Sequence, residues 1–144
     1  MITKKTDDLI QQLKKNNTLY NNYLSENKDC FLENDYSDFW NKVIKLSGKK
    51  KTDIINSADV GYTFFYDIIK GKKTPSRDTI IKIFIALQVD LEHLQNALRL
   101  YNWAHLYPKI KRDSIIIFAI SHNYSLMQTE ILLDEHSEKG LKAI

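Results

Sequence analysis

Basic side chains in this 144-residue chain are concentrated where an anion could meet them. Between positions 49 and 82 stand eight Lys and Arg against four Asp, whereas residues 1–48 carry seven of each sign and residues 83–144 six basic against seven acidic. The net charge of +3 therefore originates in the middle of the chain. Such a surplus suits a polyanion such as a nucleic-acid backbone, although a solvated surface can also produce it. Its densest part is the loop Gly71-Lys72-Lys73-Thr74-Pro75-Ser76-Arg77, which leads directly into the apolar segment around Ile80–Leu87. Just ahead of the loop, Tyr62, Thr63 and Tyr66 offer rings and hydroxyls, and Asp67 and Lys70 add one charge of each sign.

Other chemistries find little footing. His93, His105, His122 and His136 have no carboxylate or thiol partner at metal-ligand spacing. Cys30, beside Phe31 and Leu32, reads as a small buried hydrophobe and has no second cysteine to bond. The run Asp134-Glu135-His136 reads as a solvated helix face. Neither a glycine-rich phosphate loop nor a nucleophile elbow is present. The expectation is a non-enzyme with no cofactor, no metal and no small-molecule ligand. No apolar run approaches the roughly 18 residues that a membrane helix needs. The N-terminal MITKKTDDLIQQ lacks the apolar stretch of a secretory leader. A reducing cytoplasm and no membrane are the expected setting.

The elements that must position these residues read as helices. Four Gly and two Pro are few breakers, and apolar spacing follows the helical period nearly throughout. Thr6 is placed to cap a first helix, with Asp7 and Asp8 in its first turn. Ile10, Leu13, Asn17, Tyr20 and Leu24 then fall in a 3,4,3,4 rhythm along it, as in a short coiled-coil seam or a helix folded back on its own domain. Asp35 or Ser37 opens the next helix, which carries Trp40, Val43, Ile44 and Ser47 on one face and ends at Gly48. Thr52 caps a short helix to Ala58, and another runs from Tyr62 to Lys70 and stops at Gly71. Ser76 starts a helix with the stripe Ile80, Ile83, Phe84 and Leu87, and Asp90 starts one that faces inward through Leu94, Ala97, Leu98 and Tyr101.

A shift of 35 residues lays Arg77-Asp78-Thr79-Ile80-Ile81 on Arg112-Asp113-Ser114-Ile115-Ile116, and pairs Leu91 with Leu126 and Leu98 with Leu133. The tail therefore reads as a second helical hairpin after the linker Tyr107-Pro108-Lys109, with Ser125 and Gln128 as a capping box and a frayed end from Ser137 to Ile144. The expected organisation is all-α: residues 1–34 as an N-terminal helical segment, 35–106 as the central domain, and 107–144 as a C-terminal hairpin, packed on the same core or dimerising.

Two short helices, a tight turn and a basic loop suggest a helix-turn-helix between Lys51 and Lys70. Ile54, Ala58, Val60, Phe65 and Ile68 supply its inward side, leaving Tyr62, Thr63, Tyr66, Asp67 and Lys70 outward. From about Ser37 to Leu98 the chain resembles the Xre/Cro-type phage repressor family. The likeness is carried by IINSADVGYTFFYDIIKG, then GKKTPS with Gly71, Lys73, Pro75 and Ser76, then the link QVDLEHL. It covers roughly 60 residues; small stand-alone bacterial regulators with an extra helical segment on each side are similar over the whole chain. The resemblance implies duplex DNA as partner, with phosphate contacts from Lys51, Thr52, Lys70, Lys72 and Lys73 and base-edge contacts from Tyr62, Thr63 and Tyr66. Asp67 would accept from a cytosine amino group.

The departures are Ile55, where the family has a small Ala, and Asp59, where it has Gly at the turn. The outward face also lacks the Gln, Asn and Arg that read bases bidentately. A helix-turn-helix retained as a protein-interaction module, an adaptor or antitoxin-like partner with little DNA contact, stays open as the alternative, with Tyr62 and Tyr66 as protein contacts. A DNA reader of this size implies a homodimer. Ile115, Ile116, Ile117, Phe118 and Ile120 point to the C-terminal hairpin as its interface, and Ile10, Leu13, Tyr20 and Leu24 form the competing one.

Overall fold

Nine consecutive residues of one helix, Thr79 to Leu87, are buried, and the larger part of the molecule is built around them. The computed structural model describes residues 5–31 and 35–141. Leu32 and residues 142–144, the last part of the tail expected to fray, lie outside them. Among the described residues every regular element is helical, and none is long and apolar enough to cross a membrane. Two compact units divide the chain, Met1–Glu33 and Asn34–Ile144.

The smaller unit is a hairpin of α1 (Thr6–Lys14) and α2 (Tyr20–Glu26), followed by a single 3-10 turn at Lys28–Cys30. The continuous helix expected through Leu24 does not form. The chain leaves the helix after Lys14, and the Thr18 hydroxyl donates to the Gln12 carbonyl at 2.7 Å to close the bend. The run Asn16-Asn17-Thr18 explains the break, because short polar side chains compete for backbone hydrogen bonds. Thr6 is not the cap either; Lys5 holds that position without a side-chain bond. Tyr23 and Asn27 are the buried residues among those described in this unit, while Cys30 is only half-buried.

The larger unit holds α3 (Tyr36–Ser47), α4 (Lys51–Ala58), α5 (Tyr62–Ile69), α6 (Arg77–Leu87), α7 (Leu91–Leu100), α8 (Lys111–Ser121) and α9 (Leu126–Glu135). Local signals explain most of the boundaries. Asp35, Ser76, Asp90 and Ser125 each accept from the backbone N–H three residues on, and Ser125 with Gln128 completes the capping box. Gly48, at φ 68°, closes α3 in the left-handed region that favours glycine.

Past its first turn, from Ile80 to Leu87, the helix α6 is apolar on every side but for Lys82, and such a segment belongs in an interior. Packing on α3, α4, α7, α8 and α9 covers it. Trp40 of α3 and Phe84 of α6 are both fully buried, and the Trp40 Nε1 donates to the Tyr101 hydroxyl at 2.8 Å. Lys82 is the charged exception; its Nζ donates to the Asp59 carbonyl at 3.1 Å.

The hairpins α6–α7 and α8–α9 repeat one set of bonds. Arg77 donates to the carbonyls of Ala104 and His105, and Arg112 to those of Lys139 and Gly140. The Leu106 N–H donates to the Gln95 side chain and the Leu141 N–H to that of Glu130, and both leucines are buried. Between the copies the arginines cross over: Arg77 pairs with Asp113 and Arg112 with Asp78. Each copy thus gives what it receives, the pattern of a two-fold relation rather than a stack. The tail between Ser137 and Leu141, expected to fray, is held by these bonds.

Candidate nucleic-acid interface

The pair α4–α5 is joined at Asp59, whose φ of 52° and ψ of 50° place it in the left-handed region. Asp enters that region more readily than most residues. Its carbonyl accepts from buried Lys82, which puts a positive charge at the C-terminus of α4, where the helix dipole favours it. Ile54, Ala58, Phe65 and Ile68 are fully buried, and Val60 is half-buried. Ile55 and Ile69 are buried as well, so the core takes up the larger side chain at position 55.

The α5 helix ends in a two-bond lock. The Gly71 N–H donates to the Ile68 carbonyl at 3.0 Å and the Lys72 N–H to the Asp67 carbonyl at 2.8 Å, with Gly71 at φ 78°. These are the bonds of a Schellman motif. The Lys73 N–H also reaches the Asp67 carbonyl, at 3.3 Å. Lys72 and Lys73 are thereby held beside the end of α5 with exposed side chains. At the far end of the loop, the Trp103 Nε1 donates to the carbonyl of buried Pro75 at 3.1 Å. The loop is braced at both ends.

Tyr62 and Thr63 on α5 and Lys70 at its C-cap are exposed, while Tyr66 and Asp67 are half-buried. Tyr66 packs against the core, so the fully outward placement expected for it needs correcting. Its ring lies 4.7 Å from that of Tyr62, and the Lys51 ammonium stands 5.7 Å from its centroid. Hydrogen bonding to Tyr66 raises the Tyr62 phenol above its ordinary value, and the charge interaction with Tyr66 adds to this. Lys51 is the first residue of α4 and is half-buried. Thr52 is exposed but does not cap α4, because the N-cap position falls at Lys50.

Three of the eight basic residues of this region are used internally. Lys49 donates to the Ala86 carbonyl and to the Gln88 side chain, both at 2.9 Å; Arg77 is held by Asp113; Lys82 is buried at Asp59. The exposed basic set is Lys50, Lys70, Lys72 and Lys73, with Lys51 at its edge. Charge counting could not separate these groups, although the position of Lys82 inside the otherwise apolar run Ile80–Leu87 was a legible warning. The bonds of Trp103 and Asp113 to this region carried no sequence signal of their own. Among the described residues no cluster of His, Cys, Asp and Glu could hold a metal ion. Comparison with known protein families, characterised proteins and solved structures finds no match for this chain.

Proposed function

We propose that the protein is a helix-turn-helix binder of duplex DNA, a transcriptional regulator of a bacterium or mobile element built on a repressor-like domain of the Xre/Cro type. The observation that carries this reading is the run of Tyr62, Thr63, Lys70, Lys72 and Lys73, exposed together along α5 and the braced loop after it. In this reading the lysines engage phosphates and set the orientation, while Thr63 and the tyrosine rings meet base edges and thymine methyl groups. Lys51 serves at the margin. Thr52 reaches a phosphate from the exposed start of α4, and Asp67 takes at most a secondary part because it is half-buried.

Binding to random-sequence duplex DNA across a salt series tests the reading. A phosphate-contacting domain loses affinity in proportion to log salt, with a slope set by the number of phosphates neutralised. Absence of binding at low salt would sink it. A second reading, a protein-interaction module, is favoured by one feature: Tyr62 is 62% exposed, and its ring lies against that of half-buried Tyr66. Aromatic side chains of this kind anchor protein interfaces. That module would bind DNA weakly and without a steep salt slope.

A further inference from the structure

The balance of charge over residues 83–144 conceals an uneven stretch. From His93 to Arg112 stand four basic side chains, Arg99, Lys109, Lys111 and Arg112, and no acidic one. The seven carboxylates of that region all lie outside the stretch, up to Glu92 or from Asp113 onward. Arg112 is turned onto Asp78, but Arg99, Lys109 and Lys111 stay exposed. Two large rings stand out with them: Trp103 is 40% exposed and Tyr107 is 50% exposed. An exposed segment that is basic and aromatic, with no carboxylate in it, suits a polyanion.

Hydrogen bonds fix this segment to the end of the basic loop. Asn102 takes the left-handed conformation, at φ 61°. The Asn102 and Trp103 N–H groups close α7 on the carbonyls of Arg99 and Leu98, at 3.0 and 2.8 Å. The Trp103 indole then reaches the Pro75 carbonyl, and the Arg77 guanidinium takes the carbonyls of Ala104 and His105 at 2.9 and 3.1 Å. Buried Leu106 is held through both its N–H and its carbonyl by the Gln95 side chain. The Tyr107 N–H ends on Asp113, which also holds Arg77. Residues 103–107 therefore form a strap against Pro75–Arg77. The Ile110 N–H donates to the Tyr107 carbonyl at 3.0 Å, which makes a tight turn with Pro108 and Lys109 at its tip. Lys73 and Lys109 each stand two residues from a tie point, Pro75 or Tyr107, so within about 7 Å of chain.

We propose that the strap from Trp103 to Lys109 is a second contact with the sugar-phosphate backbone of duplex DNA, on the flank of the basic loop. Lys109 neutralises a phosphate, the Tyr107 hydroxyl donates to a phosphate oxygen, and the exposed face of Trp103 packs on an adjoining sugar. Such contacts carry no sequence information, so they add affinity to every duplex alike. The inference rests on the DNA-binding reading and lengthens its footprint beyond α5 and the loop.

Binding of the full chain to a random-sequence duplex across a salt series, combined with acrylamide quenching of tryptophan emission, tests it. Of the two tryptophans, Trp40 is fully buried, so the quenchable emission belongs to Trp103. Saturating duplex should shield Trp103 and lower the quenching slope. Lys109→Ala should make the salt dependence shallower by about one unit, with an unchanged melting temperature because the side chain is exposed. A wild type that fails to bind duplex at low salt sinks the DNA reading and the strap with it. A wild type that binds with a steep salt slope overturns the strap alone if Trp103 stays as quenchable as in the free protein, or if Lys109→Ala leaves the slope unchanged.

Discussion

Arg77 donates to both carboxylate oxygens of Asp113, at 3.2 and 3.0 Å, across 36 residues of chain. Arg77 is the last residue of the basic stretch and the first of α6, so the pair ties the end of the candidate DNA-contacting loop to the second hairpin. Asp113 accepts a third bond, from the Tyr107 N–H at 3.0 Å, which fixes the linker before α8.

Asp113→Ala is expected to destabilise the larger unit by about 3 kcal/mol or more, because it strands a largely buried guanidinium and a backbone donor. Asp78→Ala, which breaks the partner pair, should cost less: the two arginines are similarly covered, at 21% and 18% exposed, but Asp113 is 4% exposed and also holds the Tyr107 N–H, whereas Asp78 is 24% exposed. Chemical denaturation of both variants checks the order. Equal costs would mean that burial does not set the strength of these pairs.

Replacing Lys72 and Lys73 by Ala should weaken binding to all duplexes alike and reduce the salt slope by about one to two units. Melting temperature should hardly move, since both side chains are exposed. Lys82→Met is the counterpart: it removes a charge from the same stretch of sequence but from inside the protein. It should cost about 1–3 kcal/mol of stability through the bond to Asp59, with the salt slope unchanged. A slope that responds to Lys82 and ignores the loop would remove the loop from the interface.

Thr63→Ala should change sequence preference at a defined position, at roughly 1–3 kcal/mol per lost base contact, and leave the fold intact. Tyr66→Ala should lower the melting temperature as well as the affinity, because Tyr66 is half-buried and packs against the core. Parallel thermal melts and binding to a sequence library separate the two effects. Uniform loss across the library for Thr63→Ala would mark it as a backbone contact.

Burial raises the Tyr101 phenol above its ordinary value near 10, although the bond from Trp40 works in the other direction. A raised acid is neutral in the fold, so its contribution is complete below the unfolded value near 10 and disappears as pH climbs through the folded value. Stability should therefore fall on the alkaline side, and Tyr101→Phe should flatten that fall. The variant should also lose about 1–2 kcal/mol at neutral pH, because the Trp40 indole N–H is left without its acceptor. Urea titrations at pH 7 and above pH 10 measure both effects.

Local chemistry decided what the sequence could declare alone. The helical character, the caps at Asp35, Ser76, Asp90 and Ser125, the stops at Gly48 and Gly71, and the left-handed turn at Asp59 all depend on contacts within a few residues. The tail's repetition of the Arg-Asp start of α6 was equally legible, but its consequence was not. Whether Arg77 meets its own neighbours or Asp113 depends on how two hairpins fold against each other. Tertiary packing also decided that Lys49, Arg77 and Lys82 turn inward while Lys70, Lys72 and Lys73 stay out, since a charge count cannot tell which lysine an apolar neighbour will cover. The N-terminal stripe was visible as a period, but Asn16-Asn17-Thr18 broke the helix beneath it. The same residues then came side by side on a hairpin, because the hydrophobic period survives a bend that the hydrogen-bonded backbone does not.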